Sequence, residues 1–218
     1  MKKLLILLLL SYPLFANNYQ AKILPITKEI EQRMIKGNSW KQGCPVLLQD
    51  LRYLRIPYMD FNGRNKVGEL IVHKKVSKDV VEIFEELYTI GYPIKQMRLV
   101  SDFKGNDWQS IEGDNTSALN CRSLTGSSKK WSNHAYGMAI DLNPIENPYI
   151  SRTGRIAHKA SLKYRKRVHN PSRGLADKAV ALKHDKVVQI FKKHGWKWGG
   201  DWSTIKDYQH FSFRDKVE

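Results

Sequence analysis

Strand-like and helix-like segments are mixed along this chain of 218 residues without a regular βαβ alternation. That ordering argues for an α+β fold, a small and mainly antiparallel sheet with flanking helices. Residues 56–73 read as a hairpin. Tyr58, Asp60 and Asn62 alternate with Met59 and Phe61, Asn62-Gly63 is a strong turn signal, and Glu69-Leu-Ile-Val-His73 returns. Ser77 is placed to cap a helix over 78–90, where Val80, Ile83, Phe84 and Leu87 fall at helical spacing, Gly91 stops it and Pro93 prevents continuation. A second amphipathic helix is predicted over 175–194, with Val180, Val187, Val188 and Phe191 on its buried face and Gly195 at its end. Further strands are expected at 96–101, 138–142 and 208–213. Residues 105–122 are polar and turn-rich and read as a long functional loop. Residues 144–173 read as a loop rich in Pro, Gly, Arg and Lys.

The N-terminus speaks to compartment. Met1 to Ala16 reads MKKLLILLLLSYPLFA: Lys2 and Lys3 precede an apolar run of secretory length, Pro13 breaks it, and Ala16 suits a cleavage point. The run is short for a bilayer span, so the expectation is export to a periplasm or cell wall without stable membrane insertion. The domain organisation expected is a signal peptide over 1–16, an arm or linker over 17–40 and one catalytic domain over 41–218. The formal charge is +16, and cleavage would leave about +14. A basic exported protein meets polyanions, and the compartment favours wall polymers over nucleic acid as the partner. In an oxidising space Cys44 and Cys121 could pair, or stand as two buried thiols. The mean hydropathy of −0.51 excludes a polytopic membrane protein.

The chemistry lies in two short stretches, Ser132-Asn-His-Ala-Tyr-Gly-Met-Ala-Ile-Asp141 and Asp207-Tyr-Gln-His-Phe211. Together they offer two imidazoles and a carboxylate for a metal, and one carboxylate to spare. Three protein ligands with an open fourth position is what a catalytic zinc requires. His134 and Asp141 would face opposite ways on a straight strand. A turn at Gly137 can bring the loop-borne His134 round, and small Ala139 leaves room. A bend at Tyr208-Gln209 could set Asp207 beside the open position without making it a ligand, the place a general base must hold. On spacing alone, His134 could equally be a hydrogen-bonded loop histidine and Asp207 a turn residue.

Ser132-x-His134-x-x-Gly137-x-Ala139-x-Asp141 resembles the metal motif of zinc D-Ala-D-Ala carboxypeptidases of the VanY type, and Asp207-x-x-His210-Phe211 is similar to their closing motif. Asp114-Asn-Thr-Ser-Ala-Leu-Asn-Cys-Arg122, Trp131, Asp141-Leu-Asn-Pro144, Asn147-Pro-Tyr149, Gly195-Trp196 and Gly199-Gly200 also resemble one branch of that family. The wider group includes L-alanyl-D-glutamate endopeptidases, and its metal-site fold is that of the hedgehog domain. The resemblance implies zinc held by His134, Asp141 and His210. Asp207 would be general base, standing where many members carry Glu. An arginine would stabilise the oxyanion; Arg122 is the first choice, with Arg98 and Lys104 as alternatives. Ser132 is expected to orient substrate or the ligand loop, and Arg98 is a candidate for substrate binding.

The substrate class implied is peptidoglycan stem peptides, cut by a D,D-carboxypeptidase or by an endopeptidase. A wall-binding module that kept the fold, or a nucleic-acid binder suggested by charge alone, would be the non-catalytic rivals. The Arg/Lys run over 152–173 could supply a cation for a terminal carboxylate, or be a solvated loop. His158, His169, His184 and His194 match no ligand spacing and read as surface residues, whereas His73 reads as structural. Of Trp131, Trp196, Trp198 and Trp202, at least two are expected in the core and the others could line a groove.

Overall fold

The computed structural model describes residues 19–213 apart from 125, 126 and 128. The expected signal peptide lies outside the described residues. The first sheet is antiparallel, in the order β1 (Lys22–Pro25), β2 (Leu51–Met59), β3 (Asn65–His73). Its hairpin is the one predicted, although β2 starts five residues before position 56. The Asp60 carboxylate accepts from the backbone N–H groups of Asn62 and Arg64 (2.8 and 2.9 Å), which closes the turn around Gly63 at φ 73°. Residues expected as an arm form β1 and α1 (Lys28–Lys36). Arg33 on α1 grips Glu69 with both terminal nitrogens at 2.8 Å and Asp102 at 2.9 and 3.0 Å, which lays the helix on the domain.

Helix α2 (Ser77–Thr89) follows the predicted periodicity, and Val80, Ile83, Phe84 and Leu87 are all buried against Leu54, Ile56, Leu70 and Val72 of the hairpin. Ser77 lies inside the helix rather than capping it, and its hydroxyl donates back to the Lys74 carbonyl (3.0 Å). The predicted strand at 96–101 shrinks to β4 (Gln96–Met97), because a 3₁₀ turn takes over at Val100–Phe103. The expected loop 105–122 contains α3 (Asp107–Glu112) and β5 (Asn115–Thr116), which pairs with β4 in parallel. Then come β6 (Ala139–Asp141) and β7 (Tyr149–Ile150).

The helix predicted over 175–194 is two helices, α4 (Leu175–Lys178) and α5 (Lys186–Lys193). The backbone between them is claimed by other partners. The Ala179 carbonyl accepts from Tyr92 Oη (2.7 Å) and Asn147 Nδ2 (2.8 Å), and Ala181 N–H donates to Asn147 Oδ1 (2.8 Å). A helix there would forfeit these buried bonds. Half-buried Arg167 seals the junction, donating to Asn147 Oδ1 (2.9 Å) and the Ala181 carbonyl (3.0 Å). Motif residues Asn143 and Asn147 are thus framework: Asn143 Nδ2 reaches the Pro93 carbonyl at 2.9 Å.

The second sheet is antiparallel with β10 (His210–Phe213) in its centre, β6 on one side and β8 (Trp196–Trp198) on the other. A last pair joins β7 to β9 (Lys206–Asp207). Phe191 of α5 stacks on Phe211 of β10 at 3.9 Å between centroids, and Trp196 and Trp198 close the same core. Thus two of the four late tryptophans are core. The disulfide Cys44–Cys121 (Cα–Cα 5.9 Å) links two segments 77 residues apart. No helix among the described residues is long and apolar enough to cross a membrane.

One buried pair lies in this framework. Glu146 and Asp114 are both almost fully buried, with Tyr164 Oη donating to Glu146 Oε1 (3.0 Å) and Ile145 N–H to Asp114 Oδ1 (3.0 Å). Burial and the neighbouring Asp114 carboxyl push Glu146 from its ordinary 4.5 up to about 9.

Candidate metal centre

Each candidate ligand is held by a different local device. His134 sits in a 3₁₀ turn, Asn133–Tyr136, opened by Ser132, whose hydroxyl accepts from the His134 backbone N–H (3.3 Å). The turn ends at Gly137, in the left-handed region at φ 67°, and the Gly137 carbonyl receives the N–H of His73 at 2.9 Å. A Cβ at Gly137 would stand 2.7 Å from that same nitrogen, so glycine is required by contact as well as by conformation. The end of β3 thereby seats the loop. Asp141 and His210 face each other across β6 and β10.

The three side chains converge. His134 Nε2 lies 3.3 Å from His210 Nδ1 and 3.3 Å from Asp141 Oδ2, and His210 Nδ1 lies 3.2 Å from Asp141 Oδ1. Tetrahedral zinc with bonds of about 2.0–2.1 Å separates its ligand atoms by about 3.3 Å. The two imidazole nitrogens stand at that spacing, each meets one of the two Asp141 oxygens at it, and single ligand atoms from the three residues lie within 4.8 Å of one another, so the donor set suits such an ion. His134 Nδ1 is 2.6 Å from the Ala118 carbonyl. A carbonyl only accepts, so Nδ1 carries the proton and Nε2 offers its lone pair inward. Burial opposes ionisation of Asp141, but His134 and His210 outweigh it and hold the carboxyl well below the usual carboxylate range. For His134 burial disfavours the charged ring, yet adjacent Asp141 raises its pKa overall.

Asp207 completes the group from β9. Its Oδ1 is buried and has no hydrogen-bond partner among the described residues. Burial pushes its pKa up to about 7, with the Asp141 charge adding to the rise and His210 and Arg122 opposing it. An orphaned carboxylate oxygen beside the triad is a strong sign of a missing partner. His134, His210 and Asp207 open onto a cleft of about 750 Å³. Its walls include Arg122 and Ser132 with the aromatic rings of Trp108, Trp131, Tyr149 and Trp202.

The fold thus brings together His134, Asp141, His210, Asp207, Ser132 and Arg122. It does not bring in Arg98. That side chain is half exposed, ion-paired to Asp102 at 3.0 Å and stacked over Phe103, and it is not part of the cleft wall. Asp102, four residues on, captures it before the site can. Lys104 is exposed and likewise absent from the wall. No Arg or Lys of the 152–173 run lines the cleft. His158 corrects another expectation: it stacks on Trp108 at 3.9 Å, is mostly buried and lines the cleft. His194 is also mostly buried, bonded to Glu86 at 2.7 Å. His73 is structural as expected, its Nδ1 accepting from Lys75 N–H (3.1 Å). The Ala118 carbonyl and Asp107, which meets Arg122, were invisible in the sequence, since neither carries a motif.

Two imidazoles and a carboxylate converging on a cleft, with a further buried carboxylate alongside, form the kind of centre used by metal-dependent hydrolases. Residues 125–213 match the model of a family described as D-alanyl-D-alanine carboxypeptidase, a family of peptidases. That segment contains all three candidate ligands and Asp207, and the match bears out the resemblance carried by the motifs. No solved structure matches the chain.

Proposed function

We propose that this protein is an exported, zinc-dependent peptidase that cleaves peptidoglycan stem peptides, with removal of a terminal D-Ala as its reaction. The observation that carries this reading is the convergence of His134, Asp141 and His210, with the two imidazole nitrogens 3.3 Å apart and each 3.2–3.3 Å from one of the two Asp141 oxygens, beside orphaned Asp207 and inside the segment that matches the carboxypeptidase family. The Cys44–Cys121 disulfide supports an oxidising compartment.

His134 Nε2, Asp141 and His210 Nδ1 would hold the ion. Zinc bound there supplies Lewis-acid polarisation of the scissile carbonyl and a more acidic water. The rest is the work of the chain. Asp207, its pKa raised by burial, takes the proton of the attacking water at its carboxylate and returns it to the departing amine. Arg122 supplies positive charge to the oxygen on which negative charge develops. The Ala118 carbonyl fixes the His134 ring, and Ser132 fixes its loop. The aromatic walls exclude water from the peptide.

The test is metal analysis of purified residues 17–218 followed by digestion of a defined stem pentapeptide, read by mass spectrometry, with Asp207→Ala as control. One zinc per chain and loss of one terminal D-Ala, reduced about 10²- to 10⁴-fold in the variant, is the expected result. Internal fragments would make the enzyme an endopeptidase. A metal-free protein that leaves the peptide intact while binding wall sacculi would overturn the catalytic reading.

A further inference from the structure

Arg122 is held on three sides. Its guanidinium Nε stands 2.8 Å from Asp107 Oδ2, at the first residue of α3, an ion-pair contact that does not meet hydrogen-bond geometry. The other Asp107 oxygen accepts from Asn120 Nδ2 at 3.0 Å. Asn120 is itself buried, and its backbone N–H donates to the carbonyl of His134 at 3.2 Å. The Arg122 backbone is fixed as well. Its carbonyl accepts from Ser132 N–H (3.2 Å), and the preceding residue is tethered through the disulfide to Cys44.

The contacts leave part of the guanidinium uncommitted. Nη1 donates to the Ser123 carbonyl at a long 3.3 Å, and Nε, though in charge contact with Asp107, is buried without a hydrogen-bond partner among the described residues. An arginine free to turn about its side-chain torsions would lose much of its effect on a developing charge, because electrostatic stabilisation depends on a donor already in place. The side chain that prevents this turning is Asp107. Through Asn120 it also refers Arg122 to the loop that carries His134.

We propose that Asp107 is a positioning residue for the reaction: it holds the Arg122 guanidinium at the cleft wall, so that stabilisation of the oxyanion depends on Asp107 although Asp107 does not touch the substrate. The inference rests on the role given to Arg122 under the proposed function.

The test is a double-mutant cycle on the full, zinc-loaded protein with the stem pentapeptide: wild type, Asp107→Ala, Arg122→Ala and both together. Removing Arg122 should lower kcat about 10²- to 10³-fold. Asp107→Ala should lower kcat by about 10-fold or more with KM and zinc content little changed, and in the Arg122→Ala background it should have no further effect. A second readout needs neither zinc nor turnover. In the metal-free protein the guanidinium Cζ resonance of Arg122 should differ from that of a free arginine, because Asp107 stands against it, and should move to the free-arginine position in Asp107→Ala. Asp107 is partly exposed, so its removal leaves the fold intact, which the unfolding temperature verifies. An impaired Arg122→Ala beside an undiminished Asp107→Ala, or losses that multiply in the double variant, would overturn the positioning role alone. An Arg122→Ala enzyme with full kcat would remove the arginine from the mechanism, and the inference with it.

Discussion

His210 and Asp141 stand directly opposite one another on adjacent antiparallel strands, with Nδ1 and Oδ1 3.2 Å apart. They are 69 residues apart in the chain. Cross-strand register therefore sets two of the three candidate ligands, and a slip of one residue would turn either side chain to the other face. The third ligand is added by a loop that β3 holds through the Gly137 carbonyl. Both sheets are thus needed to build one centre.

Metal removal should lower stability as well as activity. At a zinc concentration about 100 times Kd, binding adds about 2.7 kcal/mol to the folded state. Thermal unfolding with and without chelator measures this. In His134→Ala the chelator-sensitive part of the unfolding temperature should disappear, together with stoichiometric zinc.

Gly137→Ala should cost about 1–3 kcal/mol, since φ 67° strains any side chain and the new Cβ meets His73 N at 2.7 Å. Urea unfolding gives the stability loss. Because the same turn seats His134, zinc affinity in a competition titration should fall too. Ala at the neighbouring exposed Asn133 serves as the control for the loop.

The Glu146–Asp114 pair predicts a pH dependence. Glu146 keeps its proton in the folded chain up to about 9, whereas the unfolded chain releases it near 4.5. Between those values the folded state binds the extra proton, so stability falls as pH rises, by at most about 1.4 kcal/mol per pH unit. His134 contributes in the same direction, so the discriminating measurement is a comparison. Denaturant midpoints at pH 6 and pH 8 should differ less in Glu146→Gln than in the wild type, both metal-free.

Replacing both cysteines, Cys44→Ser with Cys121→Ser, should remove about 2–5 kcal/mol, as expected for a native crosslink spanning 77 residues. Chemical unfolding under oxidising and reducing conditions should show the same difference in the wild type and none in the variant.

Much of the fold could be read directly where side chains alone decide. The spacing of Val80, Ile83, Phe84 and Leu87 gives α2, and Asn62-Gly63 gives the hairpin turn. The candidate ligands were legible because residue type and order carry them. What failed depended on distant partners. Periodicity could not reveal that Asn147 and Tyr92 would claim the backbone at Ala179 and Ala181 and split the last helix. Nor could it tell Arg98 from Arg122. Each has a carboxylate nearby, but Asp102 holds Arg98 away from the cleft and Asp107 holds Arg122 on its wall. A backbone carbonyl such as Ala118 leaves no trace in side-chain chemistry.

The central position of β10 has a consequence for how the molecule is born. Both strands that flank it, β6 and β8, precede it in the chain. While translation proceeds, His134 and Asp141 can be placed before His210 exists. The candidate centre is then completed in one late step, when the final strand slots into the gap its neighbours leave. A chain that stops short of β10 lacks one of the three candidate ligands, so the order of the strands makes the centre the last part of the sheet to be completed.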